Sequence, residues 1–111
     1  MQEQRISQRT LVDQLLQVTD RRHQTVIGNL VNLSAEGFML IARQPIDRRR
    51  YTELTLELPY PAAGKDAVRL EASCVWCHRS SSADDYGAGF RIEHMPAEDR
   101  RALREVFGGT D

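Results

Sequence analysis

Apolar and polar residues alternate with a period of two along most of this chain, the mark of half-buried β-strands rather than helices. The clearest stretch is 51–58, where Leu54, Leu56 and Leu58 share one face and Thr55 and Glu57 the other. A second covers 67–78, with Val68, Leu70, Ala72, Cys74 and Trp76 on one side against Arg69, Glu71 and Ser73. That phase makes Trp76 a core residue. Less regular strands are expected over 11–18, 24–33, 38–42 and 86–93, separated by turn-rich pieces at 20–23, 34–37, 44–50, 59–66 and 79–85. The period changes once, near the C-terminus. Pro96, Glu98 and Asp99 suit a helix's first turn, Leu103, Val106 and Phe107 recur at helical spacing, and Gly108-Gly109 stop it. The pattern predicts a mainly β fold: a small six-stranded antiparallel β-barrel over 11–93, a flexible N-terminal arm over 1–10, and one short α-helix over 96–107.

A length of 111 residues leaves room for one core, so a single domain is expected. The net charge of −1 conceals an asymmetry: residues 1–50 carry eight Arg against five acids, and residues 51–111 carry seven Lys or Arg against eleven acids. Bulk nucleic-acid binding is therefore disfavoured, while a local basic surface near the N-terminus suits an anionic ligand. The N-terminus has no apolar signal-peptide segment and no stretch approaches the length of a membrane span, so a cytoplasmic protein without membrane insertion is expected. In that setting the two cysteines should stay reduced.

Two short elements can carry chemistry. Arg5-Ile6-Ser7-Gln8-Arg9 is an RxxxR element in a polar arm, and Asn32-Leu33-Ser34-Ala35-Glu36-Gly37 is an NxSxxG element at a strand end. Arginines at i,i+4 share a side, about 13 Å apart along an extended arm or about 6 Å apart along a helix. Asn32 and Ser34, two apart on a strand, project to one face while Leu33 points into the core. With Val75-Trp76, then Tyr86-Gly87-Ala88-Gly89-Phe90 and the closing helix, these motifs occur in the order and spacing of the PilZ family, which the chain resembles from Arg5 to Phe107.

The resemblance implies a bacterial receptor, not an enzyme, that binds cyclic di-GMP and relays the signal to a downstream protein partner. Its implied ligand-binding residues are Arg5, Arg9, Asn32, Ser34, Gly37 and, as an aromatic bordering the nucleotide, Trp76. The chemistry suits that ligand. Guanidinium groups pair with phosphate oxygens or with guanine O6 and N7, and they stack on bases. The Asn amide both donates and accepts, as a guanine edge requires; the Ser hydroxyl can meet a phosphate or the turn backbone. Gly37 would permit a positive φ or close approach of ligand.

Other readings compete. Asn-x-Ser-x-x-Gly is also good turn chemistry, and two Arg on an arm are often only a solvated terminus. Cys74-Val75-Trp76-Cys77-His78 spells the CxxCH haem-attachment signal, which implies export. Against it, an unbroken strand sends Cys74 and Cys77 to opposite faces, with Cys74 in the core and Cys77 on the surface. A lone CxxC lacks the second pair of a structural zinc site. His23, His78 and His94 have no ligand spacing, no catalytic constellation emerges, and Arg48-Arg49-Arg50 reads as a solvated loop. No metal or cofactor is expected. The alternative function is a PilZ-like protein-interaction adaptor that does not bind nucleotide. An OB-like single-strand binder is disfavoured by the acidic C-terminal half and by only seven aromatic residues for a stacking platform.

Overall fold

The computed structural model describes residues 10–48, 51–81 and 84–108. Seven strands and one helix follow in order: β1 Thr10–Leu11, β2 Gln17–Asp20, β3 Thr25–Leu33, β4 Gly37–Ala42, β5 Tyr51–Ala62, β6 Lys65–Arg79, β7 Tyr86–His94 and α1 Ala97–Phe107. All pairings are antiparallel, and the order β3-β2-β5-β6-β7-β4 closes on itself through a β3–β4 pairing. Those six strands form the predicted barrel, and closure removes the exposed edges an open sheet would present. β1 adds to β3 beyond the point where β2 leaves it, pairing Thr10 with Leu33 and Leu11 with Asn32. The arm residues 1–9 lie outside the described residues.

Alternation translates directly into the core. Leu54, Leu56 and Leu58 of β5 are buried with Val68, Leu70, Ala72 and Cys74 of β6, joined by Leu33, Phe38, Leu40 and Phe90 from the other strands. Burying an aliphatic side chain stabilises by roughly 1.5–3 kcal/mol relative to leaving it exposed, which is what holds so short a chain closed.

Two predicted elements differ. The expected strand 11–18 is split: Leu16 turns into the core while Leu15 stays at the surface, and only the backbone bonds Val12 N–H to Val31 O and Leu30 N–H to Leu16 O bridge the interruption. The expected loop 59–66 is mostly strand. β5 and β6 run on to a tight turn at Ala63-Gly64, both with positive φ (50° and 76°), and a ladder irregularity between Glu57 and Ala62 takes up Pro59 and Pro61.

Helix α1 packs on β5 and β6, with Ala102 and Leu103 in the core. Pro96 makes no side-chain cap, and Asp99 in the first turn is itself buried, accepting the Arg69 N–H at 2.8 Å beside Lys65 Nζ at 3.6 Å. The helix also grips the β3–β4 turn, where Arg100 Nη1 donates to Ala35 O at 3.2 Å. Its last residue accepts from the start of the barrel, Thr10 Oγ1 to Phe107 O at 3.4 Å.

The other buried acid, Asp20, organises the β2–β3 turn. Its Oδ1 accepts the N–H groups of Arg22 (2.9 Å) and His23 (3.2 Å), and its Oδ2 lies 3.0 Å from His23 Nδ1. Burial pushes its pKa up, but the bonds from His23 and Arg22 together outweigh burial and hold it below the usual carboxylate value. A depressed folded-state pKa means the ionised carboxylate contributes stability that is complete above the unfolded-state value of 3.8 and is lost as pH falls through the folded-state value. Asp20→Ala should therefore cost about 1–2 kcal/mol at neutral pH, and the gap to the parent should narrow in urea titrations as the pH falls below 3.8. A gap that stays constant across that range would rule out this account of the turn.

Candidate functional site

Strands β3, β4, β7 and β6 lie side by side, and their register builds two rows on opposite sides of one stretch of wall. Leu33 pairs with Phe38, Phe38 with Phe90, and Phe90 with Cys74. All four are buried, and the Phe38 and Phe90 rings stack at 5.0 Å with planes 7° apart. One position along each strand, Asn32 pairs with Met39, Met39 with Gly89, and Gly89 with Trp76. Directly opposed residues project to the same side, so this second row faces outward. It borders a hollow of about 140 Å³ lined by Asn32, Met39, Val75, Trp76 and Gly89 together with Phe38 and Phe90.

The row exists because of two β-bulges. In the β3–β4 ladder Leu30 pairs with Leu40 and Asn32 with Met39, leaving Val31 as the extra residue; in the β6–β7 ladder Cys74 pairs with Phe90 and Trp76 with Gly89, leaving Val75. An extra residue reverses the in–out phase that follows it. Trp76 is consequently not the core residue its alternation predicts: it lies half-buried on the outer face, while the phase before the bulge continues inward to Cys74. The same shift corrects the cysteines. Cys77 turns inward and packs at the edge of the core, its Sγ accepting the Ile46 N–H at 3.5 Å, so the two thiols do not point to opposite faces. Both are free, and burial first, then the neighbouring Cys77, pushes the Cys74 thiol up.

Glycines make room for the indole. A Cβ on Gly89 would sit 2.0 Å from Trp76 Nε1, and one on Gly87 would sit 3.2 Å from Met39 Cε and 3.5 Å from the indole. Trp76 thus fills the space that side chains at Gly87 and Gly89 would take, and the His78 ring stacks on it at 5.5 Å. The Asn32 amide is set against the thioether of Met39, Nδ2 to Sδ 3.7 Å.

The rest of the motif serves the turn. Ser34 lies past the end of β3, its N–H and Oγ donating to Gly37 O at 2.8 and 3.3 Å and its Oγ accepting the Glu36 N–H at 3.4 Å. Of the two roles open to that hydroxyl, it fills the backbone one. Gly37 does not have a positive φ; it is required because a Cβ there would come within 2.2 Å of Phe90 O on β7. The close approach is that of a neighbouring strand. Asn32 and Trp76 are brought onto one patch, Ser34 and Gly37 shape the turn at the end of β3, and Arg5 and Arg9 lie outside the described residues.

The larger cavity, about 370 Å³, is elsewhere, between the start of β3, the end of β4 and the segment 43–47, and none of the described candidate residues lines it. Among the described residues no group of three or more His, Cys, Asp or Glu is gathered to hold a metal ion, and no helix is long and apolar enough to cross a membrane. Arg48 is exposed; Arg49 and Arg50 lie outside the described residues.

The seating of Trp76 is directly testable, since it is the chain's one tryptophan. Gly89→Ala should displace the indole, changing the wavelength of its emission and costing about 1–3 kcal/mol for the forced rearrangement. Unchanged emission with an unchanged melting temperature would contradict the packing of Trp76 on Gly89.

Comparison with known proteins agrees with the architecture. No curated protein matches the chain. Among solved structures, the chain is similar to the Bacillus subtilis inhibitor of motility MotI/DgrA, with a TM-score of 0.70 at 17% identity, covering 95% of this chain and 48% of that one. The chain thus spans about half the length of that protein, and at this identity the likeness is one of fold. A family described as the PilZ domain matches residues 3–108, nearly the whole sequence, and this chain belongs to it.

Proposed function

We propose that this domain is a cyclic di-GMP receptor that holds the nucleotide between the Arg5–Arg9 arm and the outward patch of Asn32 and Trp76, and relays the bound state to a protein partner in the bacterial cytoplasm. The PilZ family is one of cyclic di-GMP receptors, and its domains act as receptors or adaptors rather than enzymes. The observation that carries the reading to this chain is the register: Leu11 opposite Asn32 and Thr10 opposite Leu33 tether the arm at the edge of the patch. Arg9 is the next residue back, and Arg5 is within about 17 Å of Thr10 at full extension. Two guanidinium groups can therefore meet phosphates or guanine edges of a ligand resting on the patch. The indole of Trp76 offers a stacking face, and the Asn32 amide suits a base edge.

One observation favours a second reading. Ser34 is explained by the turn and Gly37 by the close approach of β7, so two of the three defining residues of the NxSxxG element are accounted for without nucleotide. A barrel of this family acting only as a protein-interaction adaptor would need that turn and nothing more.

Titration calorimetry with cyclic di-GMP, and with GTP as control, separates the two. Under the receptor reading Arg5→Ala and Arg9→Ala each weaken binding at least about tenfold, or about 1.4 kcal/mol, with circular dichroism unchanged. Affinity falls as salt rises, because exposed arginine–phosphate attraction is screened. At about a hundredfold excess over its dissociation constant the nucleotide adds about 2.7 kcal/mol to stability, raising the melting temperature by about 10 °C. No heat of binding and no melting shift would leave the adaptor reading standing.

A further inference from the structure

We propose that Leu11 is a ligand-contacting residue, an apolar wall for a purine base on the side of Asn32 away from Trp76. The inference deepens the receptor reading above and rests on it. Leu11 is directly opposite Asn32 in the β1–β3 pair, which puts the two side chains on one face at roughly 5 Å. Its neighbour Thr10 turns the other way, toward Phe107. Leu11 therefore stands outward, at 79% exposure, and continues the row of Asn32, Met39, Gly89 and Trp76 onto a fifth strand.

The composition of that row matches the surface of a nucleobase. A base has apolar faces and a polar edge, and sites for such ligands are mostly apolar with a few well-placed polar groups. Here one amide, Asn32, stands between Leu11 and the thioether of Met39, and the row ends in an indole. Burial does not account for the leucine, because it contributes nothing to the core. Its position does: Leu11 extends the patch on the strand that follows the Arg5–Arg9 element in sequence, beside Asn32. Leu15, exposed to 83%, lies in the interruption between β1 and β2, outside this row, and serves as an internal control.

The test is calorimetry with cyclic di-GMP over a range of temperatures on the full chain, Leu11→Asn and Leu15→Asn. Leu11→Asn should weaken binding about fivefold, the loss expected from one partly buried aliphatic contact. It should also make the heat-capacity change of binding less negative, because less apolar surface is buried. The melting temperature of the free protein should not move, and Leu15→Asn should behave as the parent. If Leu11→Asn binds with parental affinity and heat capacity, or if Leu15→Asn shows the same loss, Leu11 is an ordinary surface leucine and the inference is wrong while the receptor reading stands. A parent chain that binds no cyclic di-GMP rejects the receptor reading and this inference with it.

Discussion

Two extra residues, Val31 in β3 and Val75 in β6, decide what the wall of this barrel presents to solvent. A strand that alternates without interruption commits every second side chain to the core, and in such a wall Trp76 would follow Cys74 inward. The bulge at Val75 breaks that commitment once, after the core has been supplied by Val68, Leu70, Ala72 and Cys74, and releases the indole outward. The bulge at Val31 acts in the same way on β3: Leu30 remains inside, Asn32 comes out, and Leu33 returns to the core at full burial. Because β4 and β7 lie between the two bulged strands, the displaced residues fall in one row.

That row depends on the one behind it. Leu33, Phe38, Phe90 and Cys74 occupy the inner side of the same four strands, the Phe38 and Phe90 rings stacked, and β4 and β7, paired in a backbone ladder, leave no space for a Cβ between Gly37 and the Phe90 carbonyl. Gly89 is bare for the complementary reason, that the indole occupies the space above it. The turn following Asn32 is then fixed from three directions: by Ser34 to Gly37 within itself, by Ile92 N–H to Glu36 O from β7, and by Arg100 to Ala35 O from α1.

The strands whose alternation serves a single purpose were legible from the sequence. Leu54, Leu56 and Leu58, and Val68 through Cys74, have the burial their spacing announces, and the helix is where Glu98, Leu103 and Gly108 put it. The bulge at Val75 was not legible, since Val-Trp after Cys74 continues an apolar pattern and nothing local distinguishes an extra residue from a paired one. Alternation alone therefore puts both Trp76 and Cys77 on the wrong face. The same blindness applied to 59–66, where two prolines read as a loop although the strands absorb them in a ladder irregularity, and to Asp99, which reads as an ordinary first-turn acid but is a buried anchor for Arg69 N–H. Two glycines between Tyr86 and Phe90 were the available signal for close packing on the outer face, because glycine in a strand interior marks a place where something else needs the room.

The proposed site has two parts of different physical character. The patch is neutral and already organised: an amide, a thioether, an indole and bare glycine backbone, with burial that a ligand can complete but need not create. The cationic part is Arg5 and Arg9, in the half of the chain where Arg outnumbers acids eight to five, and it joins the barrel through two residues of β1. Under the receptor reading, attraction for an anionic nucleotide comes from the arginines, since no residue of the row is charged, while recognition of the base is shared between the row and guanidinium groups that can also pair with guanine O6 and N7. Between them lies Thr10-Leu11, bonded to β3 along one edge and, through Thr10, to the end of α1. A ligand that engages both parts consequently acts on the junction of arm, barrel and helix at once.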